Sequence, residues 1–169
     1  MVKSLENLGL IMLLCVGLVM AGAIAPTPAA WAQDNRVNYT LTDLSDQDMA
    51  HKNLSGTSLA GATMRNTNFE GSDLSGCILT KAEFINANLK DADLSDVLSD
   101  RVSFKDATLT NALFMDAILT STDFDGAEIT GADFSGAILD RYQMVQMCER
   151  AAGVNPVTGM ETRDSLGCP

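Results

Sequence analysis

From Tyr39 onward, every fifth residue of this chain is large and apolar: Leu44, Met49, Leu54, Leu59, Met64, Phe69, Leu74, Leu79, Phe84, Leu89 and Leu94. After Ser99 the run resumes with Phe104, Leu109, Phe114, Leu119, Phe124, Ile129, Phe134 and Leu139. Two residues before these positions the chain is small or short, as at Ala62, Thr67, Ser72, Cys77, Ala82, Ala87 and Ala92, and again from Ala107 to Ala137. A helix places apolar residues at i, i+3, i+4 and i+7, and a half-buried strand alternates strictly, so neither explains a period of five. A square coil does. Four pentapeptides make four sides, one turn takes 20 residues, and residue n lies beneath residue n+20. The large residue fills the centre, and the small one fits near the corner. The other three positions, as in Asn86-Ala87-Asn88-Leu89-Lys90, face solvent.

Columns drawn at 20-residue spacing support this register. Met64, Phe84, Phe104 and Phe124 fall in one column; Leu54, Leu74, Leu94, Phe114 and Phe134 fall in another. Coils stacked by backbone hydrogen bonds rise by about 4.8 Å each, and every coil buries the apolar residues of its neighbours. The column Leu59, Leu79, Ser99, Leu119, Leu139 holds the single defect. There the coil carries either a small polar inclusion or a local bulge.

Segments such as Thr80-Lys81-Ala82-Glu83-Phe84 and Thr130-Gly131-Ala132-Asp133-Phe134 resemble the pentapeptide repeat family over about residues 37–140. The resemblance implies an all-β fold, a right-handed quadrilateral β-helix of about five 20-residue coils. The tail, from Cys148-Glu149-Arg150 to Leu166-Gly167-Cys168, is similar to that of pentapeptide repeat proteins of the thylakoid lumen, which implies a cyanobacterial or chloroplast origin.

Residues 1–32 stand apart. Lys3, an apolar run from Leu8 to Ala25, the helix breakers Pro26 and Pro28, and Ala30-Trp31-Ala32 form the pattern of a cleaved secretory signal rather than a retained anchor. The expected domains are therefore a signal peptide over 1–32, a lead-in and solenoid over 33–140, and a cap and tail over 141–169. Export leads to the thylakoid lumen or the periplasm. Removing the signal takes away one Lys and one Glu, so the net charge of −11 is unchanged. Such acidity argues against nucleic acid and against anionic membrane surfaces once the signal is gone.

An open solenoid end exposes unpaired backbone groups, so something should cover it. The pattern predicts a helix over 141–152, with Asp140 and Gln143 as a capping box and Gly153 as its terminator. Tyr142, Met144, Val145, Met147 and Cys148 would supply its apolar face. Export permits a disulfide, and Cys148 with Cys168 would tie the tail to the helix; two free thiols are the alternative.

Catalytic chemistry finds no foothold. His51 is the only histidine, lies at an outward position and has no partner motif. Cys77 occupies a small inward slot, the glycines recur in the turn register, and zinc spacing is absent. No catalytic, cofactor-binding or metal-ligating residue is assigned. Asp73, Asp93 and Asp133 share an outward column interrupted by Leu113, and Asp96 lies beneath Asp116, but a ladder on a flat wall diverges where Ca²⁺ needs convergence. One column departs from the polar exterior. Ile78, Leu98, Ile118 and Ile138 form an apolar stripe at 20-residue spacing, expected to dock a protein partner, a second copy or the returning tail. The expected function is a non-catalytic scaffold or interaction module. The alternatives are a DNA mimic that binds topoisomerase, a role that the resemblance to pentapeptide repeat proteins implies and export disfavours, and an acidic ion-binding or redox-responsive lumenal protein.

Overall fold

The computed structural model describes residues 37–169, and the expected signal peptide lies outside the described residues. Each pentapeptide closes with a turn, as where Ala62 N donates to Leu59 O at 3.0 Å. From Tyr39 to Phe134 the second residue after each central one takes a left-handed conformation, which favours Gly, Asn and Asp. Gly61, Asn66 and Asp91 are examples, at φ of 65°, 56° and 56°. Lys81 and Arg101 adopt it too, in one corner column with Gly61.

Between corners the coils pair in parallel, residue n with residue n+20, from Asp43 with Thr63 up to Leu113 with Asp133. The central residue donates to the next coil, Leu44 N to Thr63 O at 2.8 Å, and the residue before it donates back, Thr63 N to Thr42 O at 3.0 Å. Among the described residues only β1 (Ile118–Leu119) and β2 (Ile138–Leu139) extend past a single bridging residue; they pair in parallel, Ile118 opposite Ile138.

The five-residue pattern fills the interior. Rings stack within columns, Phe84 on Phe104 at 5.0 Å, Phe104 on Phe124 at 5.3 Å and Phe114 on Phe134 at 5.1 Å. Between columns they meet edge to face, Phe104 against Phe114 at 5.7 Å. Both arrangements suit the quadrupole of an aromatic ring.

At Ser99 the ladder is unbroken, since Ser99 N donates to Ile118 O at 2.8 Å. The defect is therefore a polar inclusion and not a bulge. The Ser99 hydroxyl lies 3.1 Å from that of Thr122, and both side chains are buried. Val97 and Val102 occupy small-residue slots on either side of Ser99, both buried. Each adds two methyl carbons over the usual Ala, bulk added to the close-packed core next to the position where leucine is missing.

Candidate interaction surface

Covering the last coil is the work of residues 140–169. Helix α1 spans Arg141–Cys148 and ends four residues before the expected limit. The expected capping box is also absent: Asp140 makes no side-chain cap hydrogen bond, and its Oδ2 accepts from Ser121 N at 2.7 Å. The physical reason is the same in both cases. Groups at both ends of the helix reach the open coil end, although the Arg150 guanidinium also donates to the helix carbonyl of Gln146 at 3.2 Å. The Arg150 guanidinium donates to Ala127 O at 3.0 Å and Phe124 O at 2.6 Å. Ala152 O accepts from Gly131 N at 2.8 Å. Gly153 has a positive φ of 84°, but beyond the helix end, where its carbonyl accepts from Thr162 N. The expected apolar face is only partly used, for Met147 and Cys148 are buried while Tyr142 and Val145 are exposed.

The tail completes this end. Asn155 is fully buried, and its Nδ2 donates to Gly131 O at 2.8 Å and Asn111 O at 3.1 Å. Its Oδ1 accepts from Val157 N and Thr158 N, which holds the turn in shape. The Ser165 hydroxyl, on the short helix α2 (Thr162–Ser165), accepts from Phe134 N at 3.0 Å. Sequence reasoning missed Arg150, Asn155 and Ser165, because the carbonyls and amides they meet lie 23 to 44 residues away. Cys148 and Cys168 are joined in a disulfide with a Cα–Cα distance of 5.6 Å. Arg163 donates to Cys148 O at 2.9 Å beside it.

With the tail occupied at the coil end, the wall of Ile78, Leu98, Ile118 and Ile138 is left to solvent. These four residues are 38% to 57% exposed, so the tail is not what covers the stripe. They bridge one another in series, which puts them in one line along the wall.

Three of the aspartates singled out in the sequence hydrogen-bond within their own corner. Asp73 Oδ1 accepts from Ser75 N at 3.0 Å, and Asp93 and Asp133 do the same for Ser95 and Ser135. Asp133 is buried, which raises its carboxyl, yet hydrogen bonds from Ser135 and Thr158 outweigh burial and hold it below the usual carboxylate value. Burial pushes the Cys77 thiol up, and its Sγ donates to Leu54 O at 3.1 Å. His51 is exposed at a left-handed corner. Among the described residues no group of three or more His, Cys, Asp or Glu side chains is placed to hold a metal.

Residues 67–144 match the family model described as a pentapeptide repeat region, and residues 40–76 match that described as pentapeptide repeats. Among solved structures, the chain is similar to a pentapeptide repeat protein of the Arabidopsis thaliana thylakoid lumen, at 36% identity and a TM-score of 0.39, over 74% of this chain and 90% of that one. It is similar also to HetL, a pentapeptide repeat protein involved in heterocyst differentiation regulation in the cyanobacterium Nostoc, at 25% identity and a TM-score of 0.56. That match covers 57% of this chain, which spans about half of HetL, 46%. No curated protein matches the chain.

Proposed function

Because the chain belongs to the pentapeptide repeat family, whose members adopt a right-handed quadrilateral β-helix, we propose that it is an exported, non-catalytic module that binds a protein partner on one wall of its solenoid. The observation that carries this reading is the exposed line of Ile78, Leu98, Ile118 and Ile138. Soluble proteins scatter their exposed aliphatic residues, and a contiguous apolar line rimmed by polar residues marks a binding surface. A stack of about five coils, each rising about 4.8 Å, makes a stiff scaffold for such a line. The domain plan is a signal peptide over 1–32, a lead-in and solenoid over 33–140, and a cap and tail over 141–169. The leader and the likeness to the lumenal Arabidopsis protein support a thylakoid-lumen or periplasmic location.

The test is affinity capture from the exported compartment, with Ile118→Lys as the control bait. The reading predicts a partner retained by the natural protein and reduced tenfold or more on the variant, with unchanged thermal stability. Equal capture by both baits would contradict it.

A further inference from the structure

The stripe has a neighbour that breaks two polar columns at once. The outward column preceding it reads Asn53, Asp73, Asp93, Leu113, Asp133, and the corner column two residues on reads Ser55, Ser75, Ser95, Met115, Ser135. In four of these five coils the first residue's side-chain oxygen accepts the backbone N–H of the second, at 3.1 Å for Asn53 with Ser55 and 3.0 Å for Asp73 with Ser75. Asp93 with Ser95 and Asp133 with Ser135 repeat the contact at 2.9 Å. Leu113 cannot make it. Among the described residues Met115 N has no side-chain acceptor. Neither Leu113 nor Met115 packs against the core cluster, and both are only partly buried. The chain therefore forgoes a recurrent hydrogen bond in one coil and gains two apolar side chains on its outside. Ile118 follows three residues later, across the corner.

Resting on the reading of the stripe as a docking wall, we propose that the corner of Leu113, Met115 and Ile118 is the anchor of that interface. Its partner is a polypeptide segment that presents apolar side chains flanked by Lys or Arg. The rim gives the charge. Asp93 bridges Leu113 from the coil below, while Asp116 adjoins Met115 and stands above Asp96, both exposed. Cations on the partner would find these carboxylates around the apolar contact. A second copy fits poorly, since it would oppose carboxylate to carboxylate between two chains of net charge −11.

Leu113→Asn with Met115→Ser rebuilds the Asn53-x-Ser55 motif of the same column, so it tests the proposal without threatening the fold. Random twelve-residue peptides displayed on phage are selected on the full protein, and the recovered peptides are then synthesised and titrated against both forms. The proposal predicts peptides rich in Leu, Ile, Phe or Met beside Lys or Arg, binding the double variant at least tenfold more weakly. It predicts also that the double variant melts a few degrees higher, about 2–6 °C, having regained a hydrogen bond. A lower melting temperature would make Leu113 and Met115 structural and overturn the proposal. So would recovery of no peptides, of acidic peptides, or of peptides that bind both forms alike. Partner capture lost with Ile118→Lys but kept with the double variant would leave the docking wall standing and remove this anchor; capture kept with both would remove both.

Discussion

Ser99 and its two valines show how a repeat interior absorbs an exception. A serine in a central slot lacks the volume of leucine, and Val97 and Val102 supply bulk where alanine is usual. Restoring the consensus at one position alone should therefore fail. Ser99→Leu should destabilise by about 1–3 kcal/mol through overpacking. The triple variant that adds Val97→Ala and Val102→Ala should recover most of that loss, a coupling read directly from urea unfolding midpoints. If the single variant proves as stable as the triple, volume compensation is wrong. Asp133 gives the second prediction at this scale. Its carboxyl is held low in the folded state, so it contributes stability above the unfolded value, near 4, and loses it as pH falls through the lower folded value. Asp133→Asn should flatten the melting temperature between about pH 5 and 2, relative to the natural protein, while changing its shape little above pH 6. An unchanged acid limb would mean that the buried carboxylate is not a net contributor.

At the scale of elements, the coil and the cap differ in how far the sequence reveals them. The coil needs only short-range information: a large residue every fifth position and a turn-compatible residue two later. Its columns, and the stripe of Ile78, Leu98, Ile118 and Ile138, are legible by counting in twenties. The cap is set by long-range demand. Helix α1 starts where the pattern places it, but it ends at Cys148 because Arg150 and Ala152 are drawn to the coil at Phe124, Ala127 and Gly131. No local signal carries that. The apolar corner was half visible, Leu113 as a gap in an Asp column; the missing hydrogen bond at Met115 emerges only from the bonds made in the other coils. The disulfide then sets the cap's own stability. It closes a separation of 20 residues, for which chain entropy gives about 3 kcal/mol. Cys168→Ser should speed amide exchange across 153–167 by about a hundredfold or more and leave the amides of 64–104 unchanged. Equal acceleration in the coils would show that cap and solenoid unfold as one unit.

For the molecule as a whole, function follows from register. Bridges between residue n and residue n+20 turn scattered exposed positions into walls, and only as a wall do four aliphatic residues form one line, the proposed docking surface. Three of the four walls' outward columns alternate Asp, Asn, Glu, Ser and Thr with few apolar residues, Leu113 being the exception, which keeps an acidic chain well hydrated and confines the apolar surface to the stripe and its corner. The register is open to a direct check by paired cysteines. Ser103 and Asp123 bridge in adjacent coils, within reach of a disulfide, whereas Ser103 and Glu128 lie on different walls. Oxidation of Ser103→Cys/Asp123→Cys should cross-link the pair nearly completely, and Ser103→Cys/Glu128→Cys should stay reduced. Efficient cross-linking at a separation of 25 residues but not 20 would contradict the walls, and the docking surface with them.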